Sequence, residues 1–212
     1  MTDMGSGSDA ESPKALVTLS FDIGVKNLAV AAIDTEYKIH VWKVIALAET
    51  KEKIPGLNEI SGRLFMALDE LVGTDLEGCV IERVLLENQP SRLNGSMKSI
   101  QMMIYSYFQL RRHWEGLVAD VLMVAASGKL KHHEYDPGVP VVAPGRKPKT
   151  GYELNKWKAI QIARHYIKDD ATLVKHFETY KKMDDLSDAL LQAISWLRKR
   201  GDDVQAVKSK LA

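Results

Sequence analysis

Five acidic positions stand out by where they fall against the apolar runs around them. Asp22 closes the run Leu16–Phe21 and is followed by Ile23-Gly24. Glu87 closes another run in Leu85-Leu86-Glu87-Asn88-Gln89-Pro90. Asp184, Asp185 and Asp188 open the last helical pattern of the chain. Each alone has an ordinary use: Asp before Gly makes a turn, a strand-end Glu faces solvent, and acids in a first helical turn meet the macrodipole. Their combination points to chemistry. Asp185 and Asp188 share a helical face, as do Asp184 and Asp188, while Leu186, Leu190, Ala193 and Leu197 lie to another side. If that helix crosses the strand ends at Asp22 and Glu87, four carboxylates converge. Such a cluster stays ionised only with cations, and hard oxygen donors select Mg²⁺ or Mn²⁺ over zinc. Two ions about 4 Å apart are a device for in-line phosphoryl displacement.

The elements that must position these groups follow from periodicity. Leu16–Phe21, Leu28–Ile33 and Ile39–Ala48 lie close together between short polar turns, which predicts an antiparallel meander. After Pro55-Gly56, Leu57, Ile60, Leu64, Leu68 and Leu71 recur at helical spacing. Cys79–Glu87 reads as a buried strand. Ser96–Glu115 reads as a helix with Met97, Ile100, Ile104 and Phe108 on one face, and Val121–Ala126 as a fifth strand. Ser127–Thr150, with four prolines, reads as a long basic loop. Helical patterns return over Tyr152–Lys168, Ala171–Tyr180 and Leu186–Arg200. The order β-β-β-α-β-α-β-α predicts an α/β domain over 15–200. Its mixed five-stranded sheet carries helices on both faces and places strands one and four side by side. Residues 1–14 read as a disordered tail and 201–212 as a frayed one.

Composition bounds the rest. Of 212 residues, 27% are charged and 45% hydrophobic, ordinary values for one globular domain. No run of about 18 apolar residues is present, which excludes an ordinary membrane-spanning helix. The polar N-terminus has no apolar signal core, so a soluble intracellular chain is expected. Cys79 is the only cysteine, which rules out an intrachain disulfide and argues against a Cys-based zinc site. Net charge is +1, yet residues 127–182 hold twelve Lys and Arg against six Asp and Glu, a balance suited to a polyanion. His132-His133 reads as an exposed loop pair, Met97, Met102 and Met103 as helix core, and Asn27 as a turn residue. Tyr105, Tyr107 and Phe108 could stack on bases, although such residues on a helix are more often core.

Three segments resemble a known family in order and spacing. Phe21-Asp22-Ile23-Gly24-Val25-Lys26-Asn27-Leu28-Ala29, Leu86-Glu87-Asn88-Gln89 and Lys181-Lys182-Met183-Asp184-Asp185-Leu186-Ser187-Asp188-Ala189 look like the signatures of the poxvirus-type Holliday junction resolvases. These form part of the RuvC-like branch of the RNase H superfamily, with the yeast mitochondrial resolvases. The resemblance covers residues 16–197 and implies an RNase H-like fold. It implies that Asp22, Glu87, Asp185 and Asp188 bind metal, with Asp184 as the alternative to Asp185. It implies a catalytic lysine after the fifth strand, Lys129 or else Lys131. Asn155-Lys156 stands where the family tends to carry a basic pair, and Met183 interrupts the Lys-Lys-Asp-Asp run.

The implied activity is resolution of four-way DNA junctions by paired symmetric nicks. It would use two Mg²⁺ (Mn²⁺ substituting) and leave 5′-phosphate and 3′-hydroxyl ends. Lys131, Arg146, Lys147, Lys149, Lys156 and Lys158 would track DNA. Two opposed nicks on a two-fold junction call for a homodimer, with the helix at 96–115 either its contact or buried wholly within the monomer, acting where viral or cellular DNA replicates or recombines. Three other readings remain: an RNase H-fold nuclease on another DNA or on RNA, a non-catalytic nucleic-acid-binding module, and an actin-like phosphotransferase. The last needs a second Asp-x-Gly phosphate turn, for which only Asp136-Pro137-Gly138 in the loop is at hand.

Overall fold

Strand β1 (Ala15–Asp22) turns Val17, Leu19 and Phe21 to one side and Thr18 and Ser20 to the other, and all five are buried. A strand buried on both faces must be central and covered by two layers. The computed structural model describes residues 14–49, 55–89, 95–140 and 150–211 and shows this arrangement. The sheet has the order β3-β2-β1-β4-β5. β2 (Leu28–Asp34) and β3 (Ile39–Ile45) complete the antiparallel meander, and β4 (Cys79–Glu87) and β5 (Val118–Val124) run parallel to β1. One face packs on α1 (Leu57–Glu70), which continues as a wider turn over Leu71–Asp75, and on α2 (Gly95–Glu115). The other face packs on α3 (Gly151–Ile167), α4 (Ala171–Glu178) and α5 (Met183–Leu211).

The expected mixed five-stranded sheet, with β1 beside β4 and helices on both faces, is therefore present. Several boundaries differ. β5 spans Val118–Val124 rather than Val121–Ala126, because Ala126–Gly128 closes a single 3₁₀ turn. α5 opens at Met183 and runs through Gly201 to Leu211, past the predicted end at Arg200. One Gly costs a helix about 1 kcal/mol, too little to stop it. On α2, Ile100, Ile104 and Phe108 are fully buried, whereas Met102 is exposed rather than core, on the side turned away from the sheet. Residues 1–13 lie outside the described residues.

One irregularity decides how the strand ends meet. β1 and β4 pair Val17 with Ile81 but Thr18 with Arg83, so Glu82 is an extra residue in β4. Such a bulge inverts the inside–outside alternation beyond it. Ile81, Val84 and Leu86 accordingly face the same core despite their odd spacing. The shifted register ends on Phe21 opposite Leu86 and sets Glu87 beside Asp22.

The second layer is pinned to the sheet by Trp42. Its Nε1 donates to Leu186 O at 2.9 Å, and its ring stacks on Phe177 with centroids 4.9 Å apart. Trp42→Ala should therefore destabilise the protein by about 3–5 kcal/mol, the range for truncating a large buried aromatic. Urea unfolding, compared with Trp42→Phe, measures this.

Candidate active site

Asp22 follows Ser20 by two positions, and Ser20 faces α5: its Oγ accepts from Gln192 Nε2 at 2.9 Å. Asp22 therefore points to the α5 side, and the bulge directs Glu87 the same way. Gln192 Nε2 also reaches Phe21 O (3.3 Å) and Leu85 O (3.4 Å), which ties α5 across β1 and β4. Asp188, one helical turn before Gln192, then lies over the strand ends. The lysine comes from the turn after β5, where Lys129 is 7% exposed. Its Nζ meets Asp22 Oδ1 at 2.8 Å, Glu87 Oε2 at 2.5 Å and Asp188 Oδ2 at 3.0 Å. Residues 22, 87, 129 and 188 thus converge from four separate elements.

Asp185 and Asp184 line the same cleft of ≈ 590 Å³ but stand off this centre. Asp185 Oδ2 accepts from Asn27 Nδ2 at 2.7 Å and lies 3.7 Å from Lys182 Nζ. Asp184 pairs with Lys156, whose ammonium also lies over the Tyr152 ring, 4.7 Å from its centroid. The cleft gathers five carboxylates against Lys26, Lys129, Lys156 and Lys182. Burial pushes the Asp22 carboxyl up to about 8; Lys129 pulls against this, while Asp188 and Glu87 add to the rise. The Asp188 carboxyl is raised as well, chiefly by burial, with Lys129 opposing and Glu87 and Asp184 contributing. Burial alone would lower the Lys129 ammonium, but Asp22, Asp188 and Glu87 outweigh it and raise it. Even with Lys129 in place, the cluster is short of positive charge.

Other expected residues are placed elsewhere. Lys131 lines a neighbouring cavity on the far side of Lys129. Lys158 sits 3.3 Å from Asp136, outside the carboxylate cleft. Arg146, Lys147 and Lys149 lie outside the described residues. Asp136 closes a local turn by accepting from Gly138 N at 2.9 Å, so it forms no second phosphate turn at a strand end. His133 does not serve as an exposed loop residue. Its Nε2–H donates to Lys129 O at 2.7 Å, and Nδ1 lies 3.1 Å from the Tyr166 hydroxyl. Burial lowers its pKa, which favours the neutral ring.

Three positioning residues were not legible as such in the sequence. Asn27 reads as a turn residue, yet it orients Asp185 from a position 158 residues away. The turn that presents it leaves no room at Gly24, where a Cβ would come within 2.3 Å of Asn27 O. His133 and Gln192 hold Lys129 and α5. A polar residue on the otherwise apolar sheet-facing side of α5 was the available signal for Gln192.

The donor chemistry of Asp22, Glu87, Asp185 and Asp188 suits a hard divalent cation, all-oxygen and partly buried. Their placement is that of a lysine-occupied cluster: among the described residues, no three acidic, His or Cys side chains are arranged to hold a metal ion.

No family model matches this chain. The yeast mitochondrial Holliday junction resolvase Ydc2 superposes with a TM-score of 0.57 at 18% identity, over 90% of this chain and 82% of that one. Thermus thermophilus RuvC, solved with a Holliday junction substrate, superposes with a TM-score of 0.52 at 12% identity, over 87% of this chain and 95% of that one. The chain shares the RNase H-like fold of these two resolvases. In sequence, the uncharacterized protein L451 of Acanthamoeba polyphaga mimivirus is 32% identical over 121 residues, 55% of this chain and 29% of that protein. The chain thus matches less than a third of that viral relative's length. Among the described residues, no helix is long and apolar enough to cross a membrane.

Proposed function

We propose that this protein is a metal-dependent endonuclease that resolves four-way DNA junctions. It would nick two opposed strands symmetrically and leave 5′-phosphate and 3′-hydroxyl ends. The observation that carries the reading is the convergence of Asp22, Glu87 and Asp188 on one point, with Asp185 at the rim of the same cleft. On a RuvC-like fold, that convergence carries more negative charge than the single Lys129 ammonium offsets, and buried like charges cost stability unless further cations use them. Bound Mg²⁺ or Mn²⁺, probed as one or two ions, supplies an acidified water and charge neutralisation at the scissile phosphate. Asp22, Glu87, Asp185 and Asp188 are the residues to hold it. Asn27 fixes the Asp185 carboxylate, and Lys129 supplies positive charge to the carboxylate centre. Lys156 at the cleft rim and Lys131 beyond Lys129 would meet flanking phosphates, contacts that set register without reading bases.

Two nicks on opposed strands need two such clefts, and a C2 dimer matches the junction's approximate symmetry. α2 leaves Met102, Leu110 and Trp114 exposed, Trp114 by 77%, and Phe65 of α1 stacks on Tyr107 beside them. This apolar face is our dimer surface.

A substrate panel tests the reading: a labelled four-way junction beside duplex, single-stranded DNA and an RNA–DNA hybrid, each with Mg²⁺. Preferential junction cleavage is expected. Preferential hybrid cleavage would move the protein to the RNase H-type activity that shares this fold. Asn27→Ala should slow single-turnover junction cleavage about 10–100-fold, the range for losing a group that orients a metal ligand. Asn27→Asp should be slower still, since it sets a like charge against Asp185.

A further inference from the structure

Lys129 lines two cavities at once. One is the carboxylate cleft; the other, of ≈ 380 Å³, lies between the turn after β5 and α5, with Ser127, Lys131, Gln192, Ser195, Trp196 and Lys199 among its walls. In the cleft, the ammonium donates to Asp22 and Asp188 and ion-pairs with Glu87, three of the four carboxylates assigned above to the metal. A divalent cation and this ammonium cannot both hold those oxygens. Gln192, which lines the second cavity, carries a buried acceptor: its Oε1 has no hydrogen-bond partner among the described residues. The amide cannot reverse to relieve it, because Nε2 is committed to Ser20 Oγ, Phe21 O and Leu85 O. The Lys129 backbone is fixed, with its carbonyl bonded to His133 Nε2 and its N–H to Ala126 O. Only the flexible side chain is free to move between the two. Asp188 and Gln192 are one helical turn apart on α5, about 5–6 Å between Cβ atoms.

We propose that Lys129 is a resident cation with two stations: it occupies the carboxylate centre in the metal-free protein, and a divalent ion displaces it toward Gln192 Oε1. This deepens the function proposed above and rests on its assignment of the carboxylates. The second station carries a condition. Lys131 and Lys199 line it and, among the described residues, no acidic one does, so the displaced ammonium meets like charge there. A DNA phosphate beside Lys131 and Lys199 offsets that charge, so metal and DNA each tighten the binding of the other. Metal loading is thereby coupled to substrate.

The test is Mn²⁺ binding without DNA, followed by the loss of the free-ion paramagnetic resonance signal. Lys129→Met and Lys129→Gln should each bind Mn²⁺ about tenfold or more tightly than wild type, because the competitor is gone. Both variants should also melt lower than wild type in EDTA and gain more from added Mn²⁺. Gln192→Met should weaken Mn²⁺ binding when Lys129 is present and leave it unchanged in the Lys129→Met background, a non-additivity that an ordinary packing defect does not produce. Equal or weaker Mn²⁺ affinity in both Lys129 variants overturns the proposal, whatever the protein cleaves. Junction cleavage with unchanged Mn²⁺ affinity leaves the function standing and removes only the two-station lysine. Absence of Mn²⁺ binding in wild type and variants alike overturns both.

Discussion

Asp22→Asn should lower the single-turnover rate of junction cleavage by at least about a thousandfold, or about 4 kcal/mol of barrier, with the fold intact. Asp22 shares Lys129 with Glu87 and Asp188, and burial pushes its carboxyl up to about 8. The amide keeps the volume and loses a charged donor. Glu87→Gln and Asp188→Asn should behave alike. Junction affinity, measured by gel shift, should hold or tighten in all three, because each removes repulsion against phosphate. The pair on α5 separates by the same assay. Asp185→Asn should abolish cleavage and Asp184→Asn should only slow it, since Asn27 presents Asp185 to the cleft while Lys156 engages Asp184. A dead Asp184→Asn beside an active Asp185→Asn would exchange their roles.

Removing divalent cations should have an effect as large. Cleavage should fall below detection in EDTA and return with Mg²⁺ or Mn²⁺. Ca²⁺ should support junction binding without cleavage, because its looser coordination does not hold a nucleophile in line. The physical reason lies in the charge balance of the cleft: one buried ammonium serves three carboxylates, and a fourth stands at the rim. A DNA phosphate adds negative charge to a centre already short of positive charge. Undiminished cleavage in excess EDTA would remove the metal from the account.

Much of this architecture was legible because β1 and β4 end in carboxylates and the last helix opens with them, so element order alone brought Asp22, Glu87 and Asp188 toward one end of the sheet. What made them meet was less legible. The Glu82 bulge leaves no mark in composition or periodicity, yet without it β4 would set Leu86 beside Asp22 and turn Glu87 to the opposite face. The family resemblance implies Lys129 ahead of Lys131, and after the 3₁₀ turn at Ala126–Gly128 residue 129 lines the carboxylate cleft while 131 lines only the neighbouring cavity. Asn27 and His133 act through contacts across 158 residues and from within an irregular loop, beyond the reach of local pattern. Met102 reads as core by its side chain alone, but it lies off the Met97, Ile100, Ile104 and Phe108 stripe that the sheet covers, and it is exposed.

The most direct test of the central claim is the fate of the products. A four-way junction labelled on each strand in turn is cleaved under single-turnover conditions with Mg²⁺, and the products are treated with DNA ligase. Cleavage on one pair of opposed strands at symmetric positions, yielding two duplexes that ligase seals without end repair, is the predicted result, and Asp188→Asn should give none. Single nicks on one strand, ends that ligase cannot join, or equal cutting of plain duplex would contradict the assignment of this carboxylate cluster to junction resolution.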